Sequence, residues 1–467
     1  MEAKSCLENL AKVQMIGAAT EDILSRVNNT TSDTQTRIAS QIPLMCPIHR
    51  LPPEVLGKIF QQCLPKNAHP INMITTLCLA SVCRYWRAVV CSFGVLWSYI
   101  CLSGYENKRF LEMFMERSCP GVDLSVYEDS LDWAFHRLTQ PNRVHRLCIV
   151  LQHYLDNQNI LSSWPVVLPN LSHLWIETNH HDRVRTISGD FLSLFPNLED
   201  LNMIYVNLHF SKHFELRKLQ RIRWLVTRHP EPPLCLLGDI FLHAPHLKSF
   251  IFDGPISSPD SGATSMAFGP LTELSTMEID FCDLAIMEPL ADHLMVPSLQ
   301  HLTFRWIPVS LAWKVERLND IFLHYASLAL LTRLSLVLDS FGGYSLLETS
   351  KYGLNCLVHL VHLTRLDIMG VNAAIYHEGH PSVTYLCHLL SVCAPEPSFP
   401  CLQNIHFVGK IKIGVPFGTI IQMARARTAA AASSPNRIAK LESIIFEDCE
   451  PLTVEQYREL RDALGQI

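Results

Sequence analysis

Charge is scarce in this 467-residue chain: 18% of residues are charged, 38 basic against 44 acidic, leaving a net −6. Such thin, slightly acidic coverage excludes the basic footprint that nucleic acids and anionic membranes attract. Disorder is excluded too, because 48% of residues are apolar and can offset the entropy of ordering. The 16 cysteines form no Cys-x-x-Cys pair and no zinc-like spacing. Neither a metal site nor a disulfide framework is expected, and thiols such as Cys78, Cys91, Cys148 and Cys387 read as small hydrophobes. No run of about 18 apolar residues could span a bilayer. The opening Met1–Val27 has no apolar core of signal-peptide length. A reducing compartment, cytoplasmic or nuclear, is the expected setting.

Also missing are a Gly-rich phosphate cradle, a G-x-S-x-G elbow and an H-E-x-x-H pair. His377-Glu378-Gly379-His380 and His180-His181-Asp182 read as polar turns, and Arg425 and Arg427 as a solvated helix face. No catalytic, cofactor or metal residue is expected, and the chain is not expected to be an enzyme. A metal-dependent hydrolase around His377 and His380 is the weakest alternative.

What is present is concentrated first between Arg50 and Ile100. Leu51, Val55, Ile59, Phe60 and Cys63 fall on one helical stripe. Pro52 and Pro53 suit a helix entrance, where a missing N–H costs nothing, and Pro65 would end the helix. A second apolar helix follows, then Val82-Cys83-Arg84-Tyr85-Trp86 and Trp97. Three short helices bury little among themselves, so side chains as large as Phe60, Trp86 and Trp97 need further cover. The segment resembles an F-box, the helical module that docks on a Skp-family adaptor in cullin-based ubiquitin ligases. By position the resemblance implicates Leu51, Pro52, Val55, Ile59 and Phe60 in adaptor contact, with Val82, Trp86 and Trp97 as core or partner-facing anchors. Gln62 and Cys63 depart from the bulkier residues of many relatives.

A second pattern fills the rest of the chain. The text L-x-x-L-x-L, allowing other apolar residues, begins weakly at Val144-Leu147-Ile149. It recurs at Leu171-Leu174-Ile176, Leu198-Leu201-Met203, Leu219-Ile222-Trp224, Leu247-Phe250-Phe252 and Leu274-Met277-Ile279. Further copies start at Leu299, Leu331, Leu363, Leu402 and Leu441, with successive starts 21 to 39 residues apart. Proline-containing turns precede many copies. Stretches such as 189–195, 236–244, 315–329 and 384–393 suit helices between them. This period resembles leucine-rich repeats, in which units that cannot bury their own strands must stack. The predicted fold is therefore α followed by α/β: a small helical F-box, then an irregular leucine-rich-repeat solenoid with a curved parallel sheet and outer helices. The expected division is an N-terminal amphipathic helix and polar linker over 1–44, the F-box over 45–102, and the repeats with a C-terminal capping helix over 103–467. Residues 254–265 read as an exposed loop and 428–436 as a variable insertion, both candidates for mobility.

As a whole the chain resembles basidiomycete-type F-box proteins with irregular leucine-rich repeats. The resemblance implies a substrate-recognition subunit of a Skp–cullin–F-box ubiquitin ligase, with partners limited to the adaptor, through it a cullin, and an unknown protein substrate. A scaffold using the same module outside any ligase is the alternative. In each repeat strand the middle positions point away from the core. This exposes His173, Trp175, Asp200, Asn202, Thr276, Glu278, His301, Thr303, Arg333, Ser335, Arg365 and Asp367 on the inner face. Of these Trp175, Asn202, His301, Arg333 and Arg365 are the expected substrate contacts.

Overall fold

The computed structural model describes residues 25–26, 47–64, 70–102, 108–119, 121–131, 140–152, 161, 166–179, 185–211, 214–226, 234–254, 270–280, 296–306, 330–339, 360–371, 387–388, 390–391, 399–409, 417–449 and 451–466. The chain divides into two compact units, one of 1–100 with 108–120 and one of 101–107 with 121–467. The expected N-terminal helix lies almost wholly outside the described residues. So do the loop after Gly254, the helix over 315–329, most of that over 384–393, and the histidine clusters at 180–181 and 377–380.

Among the described residues the first unit includes the helices α1 (Pro53–Gln62), α2 (Pro70–Val82), α3 (Arg84–Ser92) and α4 (Lys108–Arg117). Helix α1 starts at Pro53, where a ring that fixes φ and a missing donor cost nothing, so Leu51 precedes the helix instead of lying on its stripe. Cys83 caps α3, its sulfur accepting from the Trp86 N–H at 3.4 Å. The core gathers Leu56, Phe60, Val89, Val90, Leu96, Trp97, Leu111 and Phe114. A short 3₁₀ turn (Gly94–Trp97) carries Leu96 and Trp97 into it.

Among its described residues the second unit is built on one thirteen-stranded sheet. Its strands are β1 (Tyr99–Leu102, the last two residues in this unit), β2 (Val122–Tyr127), β3 (Val144–Leu151), β4 (His173–Thr178), β6 (Asp200–Ile204), β8 (Arg221–Leu225) and β9 (Ser249–Asp253). The series continues through β10 (Thr276–Asp280), β11 (His301–Trp306), β12 (Arg333–Asp339), β13 (Arg365–Val371), β14 (Asn404–Gly409) and β15 (Ser443–Glu447). The order is sequential, and the pairings from β2 to β15 are parallel. Tyr205, at φ 58, turns the chain out of β6 into a two-stranded sheet of β5 (Arg185–Ser188) and β7 (Val206–His209).

Register follows the apolar text. Leu147, Leu174, Leu201, Ile222, Phe250, Met277, Leu302, Leu334, Leu366, Ile405 and Ile444 are Cα partners from strand to strand. A one-residue slip would turn that whole row toward water, so the pattern pins the register. The prolines act through β-turns. In Leu168-Pro169-Asn170-Leu171, Phe195-Pro196-Asn197-Leu198, Ala244-Pro245-His246-Leu247, Val296-Pro297-Ser298-Leu299 and Phe399-Pro400-Cys401-Leu402, the fourth N–H donates to the first carbonyl. Proline pre-sets φ at the second turn position, and each turn delivers a buried leucine. Turn side chains also tie successive units together: Asn170 Nδ2 donates to Asn142 O at 2.7 Å, and Ser298 Oγ to Thr272 O at 2.6 Å.

Between strands lie a 3₁₀ segment (Gly189–Leu194), α5 (Leu234–His243) and α6 (Phe417–Ser433); α7 (Val454–Ala463) ends the unit. Phe241 of α5 meets Phe250 edge-on at 4.9 Å between centroids. Residues 428–433, within the stretch read as an insertion, continue α6, since their alanines are the best helix formers. One expectation is overturned here. Arg427 is buried, and only Arg425 stands in solvent. Helix α7 opens with a reciprocal cap between Thr453 and Gln456 and buries Leu460 and Leu464.

Candidate functional site

Within the helical unit, α1 has two apolar faces. Leu56, Gly57, Phe60 and Leu64 turn inward. Gly57 is required by packing: a Cβ there would lie 2.3 Å from the Phe93 ring. Val55 and Ile59, at i and i+4, stand outward with 44% and 41% of their surface exposed, and Cys63 extends the same row. Helix α2 repeats the arrangement with Ile74, Cys78 and Val82 at i, i+4 and i+8, Ile74 and Val82 being 59% and 58% exposed. Two such apolar rows on helices of one small unit are costly in water and are the feature of an interface.

Other residues read as contacts are placed differently. Phe60 is buried, its ring 4.7 Å from Trp86. Trp97 is buried, donates from Nε1 to Val90 O at 2.8 Å, and packs edge-on against Phe114 at 4.8 Å with the Arg117 guanidinium over its ring. Phe60 is thus a core residue and not a contact, and Trp97 takes the core place among the two alternatives read for it, because an aromatic ring gains more from cover on two faces than from one solvated face. Trp86 is half-buried, and its indole N–H has no acceptor among the described residues. Leu51 is half-buried, its carbonyl accepting from Tyr85 Oη at 2.7 Å, while Pro52 is exposed. Ile74 and Cys78 were missed, and Cys63 was placed on the stripe without being read as a contact. Exposure of the α2 row depends on which face the other helices cover, and Cys78 and Cys91 are exposed where apolar surroundings suggested burial.

In the second unit the middle positions of the strands form two further ladders. One runs Arg146, His173, Asp200, Arg221, Ser249, Thr276, His301, Arg333, Arg365, Asn404 and Ser443. The structure corrects the reading that all middle positions are exposed. Asp200, Thr303, Ser335 and Asp367 are buried, because short side chains lie beneath the long arginines of adjoining strands about 4.8 Å away. Asp367 accepts from Arg333 Nε at 2.6 Å, Arg365 Nε at 2.7 Å and Ser335 Oγ at 3.0 Å. Burial alone would raise its pKa, but these bonds outweigh it and hold the carboxyl below its ordinary value. Asp200 is held by Arg221, through Nε and Nη2, and by His173 Nε2 at 2.8 Å.

Of the expected contacts, Trp175 is half-buried and its Nε1 donates to Glu177 at 2.8 Å. Asn202 and His301 are half-buried. His301 Nε2 lies 3.2 Å from both Ser335 Oγ and Thr303 Oγ1. Burial, then the Arg333 charge, push its pKa down. The ladder brings His301, Arg333 and Arg365 together on adjacent strands, whereas Trp175 and Asn202 lie beside the Asp200 group. No cluster of three metal-ligating side chains occurs among the described residues, and no described helix is long and apolar enough to cross a membrane.

The family model described as F-box-like matches residues 48–103. That span covers the two exposed apolar rows of α1 and α2, so the chain carries an F-box-like domain, followed by a mostly parallel sheet with helices. No curated protein matches the chain.

Proposed function

We propose that this protein is the substrate-recognition subunit of a Skp–cullin–F-box ubiquitin ligase, with the F-box-like domain seated on the adaptor and the sheet unit holding the target. F-box-like domains generally bind Skp1-type adaptors. The observation carrying the reading is the pair of exposed apolar rows, Val55 and Ile59 on α1 with Ile74 and Val82 on α2, inside the matched span. An adaptor covering these rows removes from water apolar surface that the chain leaves bare.

The finer form of the reading takes the parallel units as irregular leucine-rich repeats of the basidiomycete type, acting in the cytoplasm or nucleus. Sequential parallel strands, many of them entered by a turn and most carrying the L-x-x-L-x-L register, support it. On this reading the protein does no chemistry itself. Its contribution is to raise the effective concentration of a target near the transfer machinery.

Affinity capture of the full chain tests the proposal. Adaptor and cullin should copurify, and Leu51→Ala with Pro52→Ala should reduce both. Capture of adaptor without cullin would favour a scaffold outside the ligase, and capture of neither would end the reading.

A further inference from the structure

At two places on the sheet face exposed guanidiniums stand over buried carboxylates, although the whole chain carries a net charge of −6 and Glu278 and Glu447 are exposed elsewhere on that face. Asp200 is 8% exposed under an Arg221 that is 60% exposed, and Asp367 is 2% exposed under an Arg333 that is 40% exposed. Arg365 shares Asp367, so two guanidiniums stand over one carboxylate there. Among the described residues Arg333 spends only its Nε on Asp367, leaving its Nη donors for another acceptor. Arg221 gives Nε and Nη2 to Asp200, and Arg365 gives Nε to Asp367 and Nη2 to His406, so the buried carboxylates orient guanidiniums of which Arg333 keeps both Nη groups for an oxyanion.

Charge on this face is discrete. Arg221 on β8 and Arg333 on β12 are four strand spacings apart, roughly 19 Å at about 4.8 Å each. Between them the ladders place Ser249, Thr276, His301 and the exposed acid Glu278. A uniformly charged polyanion would meet Glu278, whereas two separated acidic groups would not. An extended chain covers that distance in about six residues.

We propose that this face binds an extended acidic segment of a partner protein, laid across the strands, with one group of Asp or Glu carboxylates at Arg221 and a second at Arg333 and Arg365, joined by an uncharged centre of about six residues. The proposal rests on the reading of the sheet unit as the target-holding half and supplies the class of target.

The test uses the intact chain copurified with its adaptor and a fluorescent 12-residue peptide bearing two glutamates at each end of a neutral centre. This peptide should bind at least tenfold more tightly than its glutamine counterpart and more weakly as salt rises. It should also bind more tightly than an all-glutamate peptide of equal length. Arg333→Gln with Arg365→Gln should weaken it at least tenfold. Equal binding of the glutamate and glutamine peptides would overturn the proposal, as would an unchanged affinity in the folded variant. So would tighter binding of a single-stranded oligonucleotide or of a phosphoserine peptide that leaves the glutamate peptide unbound. If the variant does not fold, the glutamate–glutamine comparison on the unaltered chain still decides. Adaptor capture with no response to the acidic peptide defeats this proposal alone, whereas failure to capture adaptor defeats the receptor reading.

Discussion

Arg427 Nη2 donates a 2.8 Å hydrogen bond to the carbonyl of Phe399, 28 residues earlier. Phe399 opens the turn that delivers Leu402 and sits at φ 54, a left-handed conformation that a side chain makes costly. The buried guanidinium of α6 thus anchors the entry to β14. Arg427→Met should destabilise the protein by about 1–3 kcal/mol, since it leaves the buried Phe399 carbonyl without its donor. Arg425→Ala, which breaks an exposed pair with Glu459 at 3.2 Å, should cost under about 1 kcal/mol. Denaturant titration of both variants decides, and equal losses would remove the anchor role.

The two faces of α1 should separate stability from docking. Phe60→Ala opens the core beside Trp86 and should cost about 3–5 kcal/mol. Ile59→Asp and Val82→Asp sit in solvent and should alter stability by no more than about 1 kcal/mol. Each should nonetheless reduce adaptor capture at least tenfold, because a charge would be buried in the interface. Unchanged capture by the folded aspartate variants would show that these rows face something else.

Thiol alkylation should sort the cysteines by position. Burial pushes the Cys387 thiol up to about 12, and burial together with Glu177 does the same to Cys148. At pH 8 roughly one in ten thousand such thiols is ionised, so both should stay unlabelled in the native chain. Cys63 and Cys78 are exposed beside the apolar rows and should label, then become protected when adaptor is bound. Peptide mass mapping reads all four sites, and labelling of Cys63 and Cys78 that ignores the adaptor would contradict the proposed seat.

His173 and His301 give the protein a stability slope in mild acid. Burial first, and neighbouring arginines after it, lower both values from the ordinary 6.5. The unfolded chain therefore takes up protons below pH 6.5 that the folded chain does not yet bind, so stability falls as pH drops from there. His173→Gln with His301→Gln should flatten that slope, as followed by melting temperature between pH 5 and 7.5. An equally steep fall in the variant would place the sensitivity elsewhere. Asp367 acts in a lower window: its depressed carboxyl supplies stability that is present above the ordinary value of 3.8 and is lost as pH falls through the folded value.

Much of the fold could be read from local text. Leu171, Leu198 and Leu247 occupy the first position of their repeats because turn, proline and apolar spacing all act within a few residues. Cα partners such as Leu174 with Leu201 follow from the same text. The candidate sites were less legible. Val55 and Phe60 look alike on a helical stripe, yet one is exposed and the other buried. Arg425 and Arg427 likewise part company within one helix turn. Arg333 and Asp367 are 34 residues apart; the repeat puts them on adjacent strands but does not show which side chain covers the other.

The sequence by itself determined the helical module, the run of parallel strands and their register, because apolar spacing is a short-range property that each segment carries alone. Only the tertiary structure decided which apolar row of α1 stays bare, that Arg427 is swallowed, and that carboxylates lie beneath arginines on the open sheet face. Those outcomes depend on which neighbour covers which side chain, and coverage is set by strands and helices far apart in the chain.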